Sequence, residues 1–253
     1  MNAESVKQWV KEEFSKRGFN GACGIASFSD VYYDLMSVQR REVEKVCGDD
    51  VKALLDRGSV VSIAVFHTDN AIKSINTVKD GIVDFERWNV YADEYNVINN
   101  VLNDVCHGLV SVLSGVPLKA TVEGKEIHSV EDYYPLAKMS HRVVAEHAGM
   151  GARGKNELIV TRQNGSAVRF ASFITTEELE RDKKVKDLCG DCTACLDSCR
   201  ILQRKEELRN YRQQCMQKIN ALNLHYPVCG ICVKACYQRG NWRKSPRDNS
   251  RAR

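Results

Sequence analysis

Eight of the chain's eleven cysteines fall between Cys189 and Cys236. They form two blocks, Cys189-Gly-Asp-Cys192-Thr-Ala-Cys195-Leu-Asp-Ser-Cys199 and Cys229-Gly-Ile-Cys232-Val-Lys-Ala-Cys236, with Cys215 alone between them. A C-x2-C-x2-C-x3-C run is the spacing of ferredoxin-type iron–sulfur ligands. Three thiolates of the tight loop hold one cube, and the fourth cysteine serves the other. Eight thiolates then divide into two sets of four. Cys189, Cys192, Cys195 and Cys236 are expected to hold one 4Fe–4S cluster, and Cys199, Cys215, Cys229 and Cys232 the second. Structural zinc is the competing reading, but zinc usually takes isolated C-x2-C pairs, and these blocks are denser. A disulfide framework fits less well, because the cysteines are crowded and no secretory h-region opens the chain.

With 253 residues, one main domain and a smaller one are expected. Hydrophobic and charged contents of 43% and 28% are ordinary for a globular chain. No apolar run approaches the length that crosses a bilayer, so no membrane partner is expected. Metal-cluster thiols together with Cys23, Cys47 and Cys106 point to a reducing cytoplasm. The net charge of +4 is mild but uneven: Arg239, Arg243, Lys244, Arg247, Arg251 and Arg253 face only Asp248 in the last fifteen residues. A solvated basic tail over 239–253 is the plain reading, and a phosphate-touching arm the sharper one.

Val6, Val10 and Phe14 recur at helical spacing. Strands are expected at Gly21–Phe28 and Ser59–Phe66, and helices at Glu42–Arg57, Tyr91–Leu113 and Ser140–His147. Glu157–Thr161 and Val168–Ile174 read as a hairpin closed by Gln163-Asn-Gly-Ser166, since Asn-Gly is a strong hairpin signal. Helices alternating with strands over 1–182 imply an α/β layered domain with a mixed sheet. A compact cysteine segment at 183–238 follows, with a charged helical stretch from Arg204 to Leu222 that carries Cys215.

Ala145-Glu-His-Ala-Gly-Met-Gly-Ala-Arg-Gly-Lys-Asn156, then Asn164-Gly-Ser166, then Thr175 to Asp182, then the first cysteine block, resemble the epoxyqueuosine reductases, distant relatives of the corrinoid reductive dehalogenases. The resemblance implies a nitroreductase-related, cobalamin-binding α/β domain joined to a small ferredoxin-like α+β domain with two 4Fe–4S clusters. By position, Gly149, Gly151, Gly154, Lys155 and Asn156 match the family's corrinoid-lining loop, and Gly165 and Ser166 its companion turn. Glycine lets backbone approach a flat macrocycle, and Lys155 and Asn156 could bond its amide arms. The plain alternative is a helix C-cap followed by a polar turn.

This chain departs from the family in several places. Pro135 stands where the family places an aspartate general acid, so Asp132 and His141 become the candidate proton donors. The plain readings there are a surface aspartate and polar residues beside a helix N-cap. No Asp-x-His-x-x-Gly corrinoid signature occurs, and Arg200 and Tyr237 replace the prolines that follow each cysteine block. The expected short form lacks a helical-repeat extension, which puts a tRNA substrate in doubt. His67, at the end of a strand, is expected to be structural.

Three functions follow. The leading one is an iron–sulfur oxidoreductase that takes single electrons from a ferredoxin or flavodoxin and passes them to a bound corrinoid. The second is an electron-transfer or activator protein that reduces a corrinoid or other metallocentre on a partner. The third, motivated by the basic tail, is a zinc-stabilised nucleic-acid-binding protein.

Overall fold

The computed structural model describes residues 1–121 and 139–243. Asp132 and most of the basic tail, from Lys244 onward, lie outside the described residues. In chain order the elements are α1 (Ala3–Lys16), β1 (Gly21–Ser27), α2 (Phe28–Asp34), α3 (Ser37–Cys47), α4 (Val51–Arg57) and β2 (Ser59–Phe66). Next come α5 (Asp69–Ser74), β3 (Val78–Lys79), β4 (Ile82–Val83), α6 (Phe85–Gly108), β5 (Gly115–Leu118) and α7 (His141–His147). Last are β6 (Ala152–Arg153), β7 (Ile159–Val160), β8 (Val168–Thr175), α8 (Ala194–Asp197), α9 (Arg200–Gln203), α10 (Tyr211–Ala221) and α11 (Ile231–Arg239).

A four-stranded sheet, ordered β1-β2-β8-β5, lies between helices on both faces. Period-two side-chain alternation explains the layers. Val61, Ile63, Ala171 and Phe173 meet Val6, Val10 and Phe14 of α1 and Ile98, Leu102 and Val105 of α6. Ala26, Val60 and Ile174 meet Phe28, Val43, Leu54 and Val144 from α2, α3, α4 and α7 on the opposite face. Side-chain caps start the helices as the sequence suggests: Asn2, Ser27, Thr68, Asp84 and Ser140 each accept a backbone N–H of the first turn.

The expected α/β class holds, but the sheet is not mixed, because every pairing within it is antiparallel. The expected hairpin is also absent. β8 pairs with β2 along its whole length and with β5 over Ser172–Thr175 instead. β7 pairs instead with β6. The Asn-Gly turn still forms, with Gly165 at φ +58, but it closes on itself through a bridge between Thr161 and Gly165. The Asn164 side chain ties it to the carbonyls of His67 (3.1 Å) and Ala167 (2.8 Å). A local turn signal was therefore right about the turn and wrong about the partner strand. The helix expected over 42–57 is broken where Gly48, at φ +53, ends α3. The charged stretch from Arg204 is regular helix only over α10.

The cysteine segment shares apolar contacts with the α/β part. Leu224 and Val233 pack on Ala71, Ile72, Ile75, Trp88 and Tyr91 of the α5–α6 region. Trp88 donates its indole N–H to the Cys229 carbonyl at 2.9 Å, and Lys234 reaches the Ile75 carbonyl at 2.5 Å. The expected free tail is partly structure, since Arg239 ends α11 and donates to the Ala194 carbonyl at 3.2 Å. The Arg243 guanidinium lies 4.4 Å from the centre of the Trp242 ring.

His141 is buried between α7 and the sheet. Its Nε2 is 2.8 Å from the Lys119 carbonyl and its Nδ1 2.7 Å from Ser172 Oγ. A carbonyl can only accept, so Nε2 carries the proton and Ser172 donates to Nδ1. Both nitrogens are committed to the interior, which removes His141 from the proton donors expected from sequence. Burial pushes its pKa down to about 4. Because the folded value lies below the unfolded value of about 6.5, the neutral ring stabilises the fold fully above that pH. The contribution is lost as pH falls toward 4, by at most about 3 kcal/mol. Denaturation curves between pH 7 and 4.5 are expected to show this loss in the wild type and a smaller slope in His141→Gln. Equal slopes would refute it.

Candidate metal centre

The first cysteine block is held in a tight turn. The Asp187 carboxylate accepts the N–H groups of Cys189 (2.7 Å) and Gly190 (3.1 Å), and Gly190 takes φ +49. The second block turns at Gly230, φ +78, where an added Cβ would stand 2.5 Å from the Tyr91 ring. Glycine is required there on both counts. Within α11, Cys232 and Cys236 are four residues apart, hence successive turns of one helix face, about 6 Å along the axis. Cys195 and Cys199 are spaced alike, with Cys195 inside α8 and Cys199 just beyond it.

This spacing lets each block serve two neighbouring positions. Cys189, Cys192, Cys195 and Cys236 line one small cavity of about 10 Å³, closed by Asn156, Val160, Leu188 and Trp242. Cys195 feels the charges of Cys236, Cys189 and Cys192. Cys232 feels those of Cys229, Cys215 and Cys199, and then that of Cys195 across the gap. Cys189, Cys192, Cys195 and Cys236 thus share one cavity, and Cys232 stands near Cys229, Cys215, Cys199 and Cys195. Among the described residues, no three His, Cys, Asp or Glu form a group fit for a single metal ion. Burial, reinforced by the neighbouring thiols, raises the thiol of Cys195 to about 11 and that of Cys232 well above its ordinary value. A metal would displace protons to bind here. Cys23, Cys47 and Cys106 take no part, and burial raises Cys23 and Cys106 to about 12 and Cys47 to about 11.

The seven residues aligned with a corrinoid loop do not gather around one pocket. Gly149 and Gly151 line a separate cleft of about 220 Å³ with Cys23, Phe66, Met150 and Lys183. Gly149, at φ +67, follows the end of α7, and the Met150 N–H returns to the Ala145 carbonyl at 2.9 Å. That geometry is the helix C-cap alternative. Gly154, Lys155, Asn156, Gly165 and Ser166 stand beside the first thiol set instead. A Cβ on Gly154 would lie 3.4 Å from Cys189 Sγ, and one on Gly165 would collide with the Trp242 indole at 2.5 Å. The Lys155 N–H is within hydrogen-bond reach of the Cys189 sulfur. Ser166 reaches the Cys236 sulfur with both hydroxyl and amide. These five residues, aligned with a corrinoid loop, stand beside the cysteines.

Trp242 was missed by sequence reasoning. Its indole donates to the Cys236 carbonyl at 2.8 Å and walls the cavity. Six residues after the last cysteine, it carried no distinguishing signal. Trp88 holds the same block at its other end, through the Cys229 carbonyl at 2.9 Å. His67 is buried, with Nδ1 on Glu94 at 2.9 Å, and its Nε2 has no hydrogen-bond partner among the described residues.

Fold and site together define an α/β protein with a cysteine-rich segment in which four thiols line one cavity. No family model matches the chain. Over 152 residues it is 33% identical to the epoxyqueuosine reductase of Bacillus subtilis, covering 58% of this chain and 36% of that protein. Over 144 residues it is 30% identical to the Listeria monocytogenes enzyme of the same name, covering 56% and 34%. The chain thus spans about a third of the length of these curated relatives. An epoxyqueuosine reductase structure from Streptococcus thermophilus superposes with a TM-score of 0.53 at 21% identity, over 95% of this chain and 67% of that one. That structure supports the fold, and the curated relatives support the resemblance to epoxyqueuosine reductases read from the sequence. Among the described residues no helix is long and apolar enough to cross a membrane.

Proposed function

We propose that this chain is an iron–sulfur oxidoreductase. Its 183–238 segment is a double-cluster ferredoxin-like unit, and its 1–182 segment presents the electron acceptor. The observation that carries this reading is that Cys189, Cys192 and Cys195 of the first block line one cavity together with Cys236 of the second. Four thiols around a cavity suit a 4Fe–4S cube, which supplies one-electron transfer when bound. Cys189, Cys192, Cys195 and Cys236 would hold one cube, and Cys199, Cys215, Cys229 and Cys232 the other. The protein's own part is to seat them. Asp187 fixes the first block, Trp88 and Trp242 fix the second at Cys229 and Cys236, and buried apolar side chains pack around them. Ferredoxin or flavodoxin is the donor class, and a reducing cytoplasm the setting.

The curated relatives' name makes epoxyqueuosine, or a related epoxide, the proposed acceptor. The described residues do not gather a corrinoid pocket: the seven aligned positions divide between a helix cap and the cysteine site, and the cleft of about 220 Å³ is smaller than ordinary drug-sized pockets. No step is therefore derived through a corrinoid. That same division favours the second reading, an electron-transfer protein that reduces a metallocentre on a partner.

Anaerobic purification tests the first level. About eight iron and eight sulfide per chain are expected, whereas a colourless zinc-bearing protein would refute both readings. Reduction of epoxyqueuosine, offered free or on tRNA, supports the enzyme. Failure on both, with rapid electron delivery to a partner's cobalt centre, would favour the activator. Titration with cobalamin checks the corrinoid expectation directly through the cobalamin absorption spectrum.

A further inference from the structure

The loops at 154–156 and 165–166 are joined by hydrogen bonds beside the cavity that Cys236 lines. Leu158 donates its N–H to Asn156 Oδ1 at 3.2 Å, which fixes the orientation of the amide. Asn156 Nδ2 is thereby turned toward Ser166 Oγ, 3.1 Å away. The serine oxygen accepts from Asn156, so its own proton is free to point elsewhere. Within reach on that side stands Cys236 Sγ, which the Ser166 amide also approaches. Asn156 and Ser166 are both buried, at 5% and 3% exposure, so water is a poor competitor for these bonds. Asn156 and Cys236 line the same cavity.

We propose that Ser166, oriented by Asn156, is a positioning residue that donates a hydrogen bond to the Cys236 sulfur and raises the reduction potential of the first cluster. The inference rests on the iron–sulfur reading above. Its physical basis is that one electron, delivered by a one-electron carrier, increases negative charge on the cluster and its sulfurs. No bond breaks in that step and no proton moves. A donor aimed at the sulfur stabilises the more negative form, which makes reduction easier. The Lys155 amide acts on Cys189 in the same sense. The electron is thereby drawn toward the set that touches the 152–166 loops of the α/β part, and away from the set anchored by Trp88.

The test is potentiometric titration followed by electron paramagnetic resonance, on the full chain purified without oxygen. The first cluster is read in a Cys232→Ser background that removes the second. Ser166→Ala is expected to lower the first cluster's potential by about 59 mV, a tenfold shift of a one-electron equilibrium. It is expected to leave the second cluster, read in the Cys195→Ser background, in place. Ser166→Thr, which keeps a hydroxyl, restores the wild-type value. If Ser166→Ala does not retain iron, Asn156→Ala serves instead, because it leaves the hydroxyl but frees it to turn, and a shift of the same sign is expected. An unchanged first-cluster potential in these variants, or an equal shift of both clusters, overturns the inference. Wild-type protein without iron fails the proposed function itself, whereas two normal clusters with unresponsive variants fail this inference alone.

Discussion

Replacing Cys195 by serine is expected to remove about half the iron, from about eight to about four atoms per chain, and to abolish electron delivery. Cys195 sits among Cys189, Cys192 and Cys236. A serine hydroxyl is not deprotonated at neutral pH and is a harder donor than the thiolate that iron–sulfur sites select. The remaining three thiols then lose the cube rather than hold it weakly. Cys232→Ser is expected to remove the other half, because Cys232 lies among Cys229, Cys215 and Cys199. Cys106→Ser is the control. That thiol is buried against the Ser172 carbonyl at 3.1 Å, within the α6–sheet interface, and its loss leaves the iron content near eight. Iron and sulfide analysis with spin quantitation separates the cases. If both set variants lost all the iron together, the two-set division would be wrong.

The second large effect concerns Trp88. It is 1% exposed, packs with Ala71, Ile72, Ile75 and Tyr91, and donates to the Cys229 carbonyl. Trp88→Ala is expected to destabilise the protein by about 3–5 kcal/mol, the usual cost of emptying a large aromatic site. Trp88→Phe keeps most of the packing and loses chiefly the hydrogen bond, at about 1 kcal/mol. Both variants should release iron from the second set before the first, because the indole holds the Cys229 carbonyl, and Cys229 belongs to the second set. Anaerobic denaturation with cluster signals followed set by set checks this. Simultaneous release from both sets would mean that the cysteine segment unfolds as one unit with the rest.

The cysteine blocks were legible because ligand spacing is a local property. Three thiols in seven residues and pairs four apart dictate how many sulfurs can face one point, whatever surrounds them. The strands at Gly21–Ser27 and Ser59–Phe66 and the N-cap at Ser140 were legible for a similar reason. Alternation, helical period and capping act over a few residues. The hairpin expectation failed where the decision was long-range. The Asn-Gly turn folds as its residues dictate, but β2, about a hundred residues earlier in the chain, competes for β8 and pairs along eight residues. His141 has the residue type of a proton donor, and only the packed sheet shows both its nitrogens spoken for.

By itself, then, the order of residues determined the two cysteine blocks and most of the helices and strands, since both follow from short-range geometry. Tertiary structure alone decided what the glycine-rich loops face. Gly154, Lys155, Asn156, Gly165 and Ser166 present the same local chemistry to a macrocycle or to a sulfur. The choice was made by α11, which brings Cys236 against them from seventy residues further along, because Cys236 buries its side chain with Val160, Leu188 and Trp242.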